Sequence, residues 1–345
     1  MQRRIGIVTT NGRGGVATAI DKLHRGLELE GHDVKLTLLG TNLLRATYND
    51  AQLLRNSDEF DVMIYMNSTP APDYLINKTP VKAVFIHGLI DEEIVNSIMH
   101  SGFIGRIRAS SIFVYRKAIE SLGPAPDLTI YQSETMRMAN GHQPNSVLLP
   151  QYLLPAEIDY FQAFATERMA SGSRILEILT YFPLVESSRL LRADQIISLS
   201  EMLRQSLKRE FQITIVGAPF ARRATSQVKG MDFLPRSDFI KLLARSDLYI
   251  ERCTDEELGY TALEAGLLGV PVAKVTRPAA LGRCDYSREQ IINSTSLPGL
   301  AKQISDYFSR PASSRCVEPK KAKEWLISHR SWDSVKGPLL SRLFG

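Results

Sequence analysis

The chain has 345 residues, 44% of them hydrophobic and 23% charged, a balance that excludes a disordered or collagen-like protein. Its length favours two cores of ordinary size over one. The net charge of +5 favours an anionic partner, but no DNA- or RNA-binding signature accompanies it, so nucleic acid is not expected.

Ile5 to Val8 reads as a first buried strand, and its apolar run is too short for the core of a signal peptide. The loop Asn11-Gly12-Arg13-Gly14-Gly15 follows. A helix then places Val16, Ile20, Leu23 and Leu27 on one face, and Gly31 supplies its stop before a strand over Val34 to Leu39. This is a βαβ unit. Further strands are expected at Val62 to Tyr65, Val81 to Ile86 and Leu128 to Tyr131. Around Pro150 to Ser173 the pattern breaks into prolines and Ser171-Gly172-Ser173, and strand patterns then restart at Arg174 to Thr180, Phe211 to Val216, Asp247 to Ile250 and Val270 to Val275. Helical spacings lie between them, as in Ile196, Leu199, Leu203 and in Ile240, Leu243, Ala244. Strands alternating with helices in both halves predict an α/β protein of two Rossmann-like domains, 1–160 and 161–325, with parallel sheets facing across a cleft. In such sheets the ligand sits beyond the carboxyl ends of the strands.

No run of eighteen apolar residues is present, so no membrane span is expected. The three cysteines, Cys253, Cys284 and Cys316, are too few and too widely spaced for a disulfide framework or a zinc site. A reducing, cytoplasmic setting is the expectation. The stretch Phe103 to Lys117 mixes Arg106, Arg108, Arg116 and Lys117 with apolar groups, which leaves open a peripheral contact with the inner face of an anionic membrane. An ordinary amphipathic helix with solvated arginines is the competing reading.

The strongest chemical signal is Glu256-Glu257-Leu258-Gly259-Tyr260-Thr261-Ala262-Leu263-Glu264-Ala265-Gly266, followed by Gly269-Val270-Pro271-Val272. Two carboxylates eight residues apart flank a glycine that opens a helix. If the helix starts near Gly259, the amides of Tyr260 and Thr261 lie at its positive end, a natural site for a diphosphate. Carboxylates beside that site suit the hydroxyls of a sugar.

This run resembles the Glu-x7-Glu motif of the retaining GT-B glycosyltransferases of family four, whose usual form is Glu-Gly-Phe-Gly, four residues, Glu-Ala, then Gly-x-Pro-Val. The resemblance implies that Glu264 binds the ribose hydroxyls of a nucleotide and that Glu256 holds hydroxyls of the donor sugar. It extends along most of the chain. Gly14-Gly15-Val16 with Gly31-His32-Asp33-Val34 resembles the family's first loop, helix and Gly-His-x-Val, which implies donor-phosphate or acceptor contact at Gly14 and Gly15. Phe85-Ile86-His87-Gly88 resembles the strand that ends in a histidine near the transferred sugar. Trp325 and Ser331-Trp332-Asp333 resemble the terminal helices, so 326–345 is expected to return to the first domain.

Two departures stand out. The Gly-Arg and lysine that usually clamp the diphosphate are replaced by Ser188-Arg189-Leu190-Leu191-Arg192, which makes Arg189 and Arg192 the candidate clamp. Glu251-Arg252-Cys253-Thr254-Asp255 stands where the family commonly has Pro-Ser.

The expected activity is therefore retaining, metal-independent transfer of a hexose from a UDP- or GDP-sugar to a glycan or lipid-linked acceptor. No cofactor beyond that co-substrate is expected, since no Asp-x-Asp metal device is evident. Two alternatives are a catalytically silent sugar-nucleotide-binding protein of the same fold and a Rossmann oxidoreductase. The spacing of Gly12, Gly14 and Gly15 does not fit the G-x-G-x-x-G loop that the latter needs.

Overall fold

The computed structural model describes residues 1–9, 14–38, 59–66, 79–86, 125–140, 143–165, 175–182, 190–217, 226–286, 291–315 and 317–345, together with the single positions 103, 110 and 114. The chain divides into two compact units, Met1–Pro150 with Val335–Gly345, and Gln151–Ser334.

In the first unit the described strands are β1 (Arg4–Thr9), β2 (Asp33–Leu38), β3 (Val62–Met66), β4 (Val81–Ile86), β5 (Leu128–Tyr131) and β6 (Ser146–Leu148). They form a parallel sheet in the order β2-β1-β3-β4-β5-β6. Helix α1 (Gly14–Leu29) follows β1 and buries Ala19, Ile20, Leu23 and Leu27. It ends as its sequence requires. The amide of Gly31 donates to Glu28 O and that of His32 to Leu27 O, with Gly31 at φ +81°, the paired bonds of a Schellman cap. A short helix, α2 (Glu134–Ala139), is capped by Ser133, whose hydroxyl accepts the Met136 amide at 3.2 Å.

The second unit opens with α3 (Pro155–Ala165) and continues with β7 (Leu176–Tyr181), α4 (Ala193–Ser206), β8 (Phe211–Val216), β9 (Val228–Met231), α5 (Arg236–Arg245), β10 (Leu248–Glu251), α6 (Tyr260–Leu267), β11 (Val272–Val275) and β12 (Ile291–Ser294). Helices α7 (Leu297–Ser309), α8 (Val317–Arg330) and α9 (Trp332–Phe344) complete the chain. Its sheet is also parallel, in the order β12-β11-β10-β7-β8-β9. Alternate side chains of these strands serve two cores. Ile178, Ile213, Ile250 and Ala273 pack with Ile196, Leu199 and Leu203 of α4 and Leu300 and Ile304 of α7. Leu179, Val216, Tyr249 and Val272 pack on the opposite face with Phe239, Ile240 and Leu243 of α5 and Ala262 and Leu263 of α6. Leu153 and Phe161 join this second core, and the Leu153 amide donates to Arg330 O at 2.7 Å. The change of unit therefore falls at Pro150, before α3, while α9 passes into the first unit at Val335.

Both sheets grow outward from an inner strand in two directions. The reversal lies between β1 and β3 in one unit and between β7 and β10 in the other. The carboxyl ends at such a reversal leave a crevice where ligands of open α/β sheets bind.

Candidate functional site

At the reversal in the second unit, β7 ends in Tyr181 and Phe182 follows it, while β10 ends in Glu251 and leads into loop 252–259 and α6. Gly259 caps α6 in extended geometry (φ −61°, ψ 157°), and its carbonyl accepts the amides of Ala262 and Leu263 at 2.9 and 3.1 Å. Tyr260 and Thr261 thus occupy the first two helical positions, where amides precede the intrahelical ladder. A Schellman cap closes the far end, with Gly269 at φ +72° and bonds from Gly269 to Gly266 O and from Val270 to Ala265 O. The helix is short and fixed at both ends.

The carboxylates around it are buried: Glu251, Asp255, Glu256, Glu257 and Glu264. Burying a charge is costly unless partners replace water, and several partners are evident. Glu251 accepts the Cys253 amide at 2.8 Å and the Gly259 amide at 3.2 Å. Glu264 is gripped by Arg236, whose Nη1 donates to Oε2 at 2.9 Å and whose Nη2 donates to Oε1. Lys274, fully buried on β11, donates from Nζ to Asp255 O at 2.6 Å and to Glu257 O. Arg252 donates from Nε to Leu191 O at 2.6 Å and lies 3.5 Å from the centre of the Phe182 ring.

Segment 190–191 is stitched to this region. Leu190 bridges Cys253 antiparallel, and the Leu191 amide donates to Arg252 O at 2.9 Å. The next residue, Arg192, stands at the amino end of α4, where its amide donates to Gln195 Oε1 at 2.9 Å. Its guanidinium is exposed and engages Asp194 at 3.0 and 2.8 Å. That hydrogen bond holds the Asp194 carboxyl below the ordinary aspartate value.

Burial is also felt by the phenols. It raises Tyr260, with Glu157 and Glu257 adding to the effect, and raises Tyr249 well above the ordinary value; Tyr249 shares a side-chain hydrogen bond with Thr261. Burial raises Tyr181 as well, opposed by the nearby Arg236. All three remain neutral donors at physiological pH.

The structure thus gathers Glu256, Gly259, Tyr260, Thr261 and Glu264 at one end of the second sheet, with Arg192 joined to the same region through Leu191. Gly14 and Gly15 belong to the other unit, where they open α1 after β1 beside the reversal of that sheet. His87 and Arg189 lie outside the described residues. Glu264 differs from a solvent-facing carboxylate, since its side chain is 3% exposed and already ion-paired.

Three residues escape a reading of the sequence alone. Arg236 opens α5, a position where the helix dipole disfavours a cation unless a carboxylate meets it. Lys274 interrupts the apolar run Val270 to Val275 in a strand paired on both sides, and Glu251 ends an apolar strand. Each conflict between residue and position was the available signal. The partners, distant in sequence, were not.

Among the described residues no group of three or more His, Cys, Asp or Glu is arranged to hold a metal ion. No described helix is long and apolar enough to cross a membrane.

No protein-family model and no curated protein matches the sequence. Solved structures do match its fold. The chain is similar to HepE of Anabaena in complex with UDP-glucose, with TM-score 0.66, 13% identity and 99% of both chains covered. It is similar to sucrose-phosphate synthase from Thermosynechococcus elongatus, with TM-score 0.69, 14% identity and 99% of both chains covered. It also resembles WaaG, a glycosyltransferase involved in lipopolysaccharide biosynthesis, with TM-score 0.63, 16% identity and 98% of both chains covered. With two six-stranded parallel sheets and this likeness over nearly its whole length, the chain has the GT-B glycosyltransferase fold.

Proposed function

We propose that the protein is a retaining glycosyltransferase that moves a sugar from a UDP- or GDP-sugar to a glycan or lipid-linked acceptor. The observation that carries this reading is α6, whose amino end lies at the sheet reversal with Glu256 before it and Glu264 inside it. HepE, which shares the fold, holds UDP-glucose, which supports a nucleotide sugar as the ligand of this arrangement.

In this reading the amides of Tyr260 and Thr261 face the donor diphosphate, on which negative charge grows as the glycosidic bond breaks. Arg192 supplies the cation. Its present partner is an exposed aspartate, and surface pairs of that kind contribute only about 0–1 kcal/mol. Exchange for a more highly charged diphosphate therefore costs little. Glu256 accepts hydroxyls of the transferred sugar and Glu264 those of the ribose. The Arg236 fork donates one bond to each Glu264 oxygen, and a carboxylate oxygen accepts about two, so the ion pair does not by itself exhaust the carboxylate. Gly14, Gly15 and His87 are assigned to the sugar or acceptor end, and Arg189 to the phosphate with Arg192. The chemistry asks for no protein nucleophile, because attack comes from the face the leaving group departs, and for no metal, because helix-end amides and cations meet the charge of the leaving diphosphate.

The test is incubation with UDP-glucose and GDP-mannose in EDTA, with the anomeric proton of transferred or hydrolysed sugar followed by NMR. The reading predicts initial release of the α-anomer from the α-linked donor. Initial release of the β-anomer would refute retention, and recovery only on adding magnesium or manganese would refute metal independence.

One observation favours a second reading, a silent sugar-nucleotide-binding protein: Glu251 already places a carboxylate on the Gly259 amide at the head of α6. Tight binding of a nucleotide sugar with no turnover over many hours would select it.

A further inference from the structure

Glu251 and Lys274 face each other in register at the carboxyl ends of the adjacent parallel strands β10 and β11. Each directs its charge at the backbone of the loop that follows β10. Glu251 takes the amides at both ends of the following loop, Cys253 at 2.8 Å and Gly259 at 3.2 Å. Lys274 takes the two carbonyls on either side of Glu256, those of Asp255 and Glu257. The turn 253–259 is thereby held at its two ends by an anion and at its middle by a cation. The fit is close. A Cβ on Gly259 would lie 2.7 Å from Glu251 Oε2, so glycine is what allows the carboxylate to reach the amide.

We propose that Glu251 and Lys274 form a cross-strand clamp that fixes loop 252–259 and so positions Glu256 and the head of α6 for the ligand. Both are positioning residues, acting through the backbone of the loop. The consequence for a glycosyltransferase is preorganisation: the backbone around Glu256 is restrained, because the carbonyls of its two neighbours, Asp255 and Glu257, are tied to one buried ammonium. A loop fixed before the donor arrives loses less freedom on binding it. Its acceptor Glu256 also stays aimed as charge builds on the donor. The consequence for Glu256 rests on the proposed function, whereas the clamp itself does not.

The experiment therefore has a ligand-free arm and a ligand arm, both on the full chain. Amide hydrogen exchange is measured for the parent, Lys274→Met, which keeps the stem and removes the donors, and Glu251→Gln, which retains one acceptor oxygen. Lys274→Met is expected to speed exchange in peptides spanning 252–259 at least tenfold with strands β7 to β10 unchanged. Glu251→Gln, the gentler change, is expected to speed exchange at residue 253 or 259. Unchanged protection of the loop in both variants would overturn the clamp, as would acceleration spread evenly over the second sheet. Should Lys274→Met fail to fold, residue 253 or 259 in Glu251→Gln decides by the same rule.

In the second arm, binding of UDP and UDP-glucose, and of GDP and GDP-mannose, is compared by calorimetry. Loss of the clamp is expected to weaken the sugar nucleotide at least fivefold more than the corresponding diphosphate, because Glu256 meets the sugar. Equal weakening of both ligands would overturn the positioning of Glu256. If the parent binds none of the four, the glycosyltransferase reading fails while the exchange results still decide the clamp.

Discussion

Arg236 and Glu264 share one ion pair in two different environments, the arginine side chain 57% exposed and the glutamate side chain 3% exposed. Removing either partner therefore has unequal effects. Arg236→Ala leaves a buried carboxylate without its fork and is expected to cost about 1–3 kcal/mol of stability. Glu264→Gln leaves a guanidinium that water can solvate and should cost under about 1 kcal/mol. Urea unfolding of the two variants measures both, and a Glu264→Gln cost equal to or larger than that of Arg236→Ala would show that the pair is not asymmetric. The same substitution bears on function, because an amide accepts only at its oxygen. If Glu264 takes the ribose, nucleotide affinity falls roughly ten- to a hundredfold, as expected for about 1.5–3 kcal/mol in a bond to a charged group.

Cys253 offers a second test at this scale, since burial pushes its thiol up to about 12. The thiolate is the reactive form. At pH 8 alkylation of Cys253 should run roughly a thousandfold slower than that of an ordinary thiol near 8.5. Peptide mapping after a timed iodoacetamide pulse checks this; labelling at the rate of free cysteine would contradict the raised thiol value. The sign for stability follows from the raised value. The folded form keeps its proton longer, so the contribution is whole below the unfolded thiol value and is lost as pH rises toward about 12.

At the scale of elements, α6 depends on the backbone that ends it. Gly269 holds φ +72° in its Schellman cap, a left-handed conformation that costs an L side chain roughly 1–2 kcal/mol. Gly282 sits at φ −73° with open space around a built Cβ. Gly269→Ala is expected to destabilise by about that amount and Gly282→Ala by no more than about 0.5 kcal/mol. Thermal melts of the two variants compare them directly, and similar melting points would mean that the cap contributes little.

The elements also show what the sequence could and could not convey. The long apolar runs, such as Phe211 to Val216 and Val81 to Ile86, were legible because a strand buried on both faces needs apolar residues without interruption. β9 and β12 were not foreseen. Each has four residues, and each lies at a sheet edge with polar residues in the run, VKGM and IINS. Helix α6 and its two glutamates were legible from Gly259, Gly269 and the eight-residue spacing. Arg236, Lys274 and Glu251 were not, because their meaning lies in partners contributed by other elements or beyond a turn. A cation heading α5 and a lysine inside β11 mark a conflict with position, but only the fold names what resolves it.

At the scale of the whole molecule, two doubly wound sheets place their reversals at the carboxyl ends of β1 and β3 and of β7 and β10, and the buried carboxylates Glu251, Asp255, Glu256, Glu257 and Glu264, with Arg236 and Lys274 on them or on their loop, lie at the latter. That concentration of carboxylates and cations is what the claim of nucleotide-sugar binding explains. The direct measurement is the thermal stability of the parent chain with UDP, UDP-glucose, GDP, GDP-mannose and NADH in turn. A ligand at one hundred times its dissociation constant adds about 2.7 kcal/mol, a shift of several degrees. A shift with one nucleoside diphosphate and its sugar, reduced in Glu264→Gln and in Arg192→Ala, is the predicted result. Stabilisation by NADH alone, or by none of the five, would contradict it.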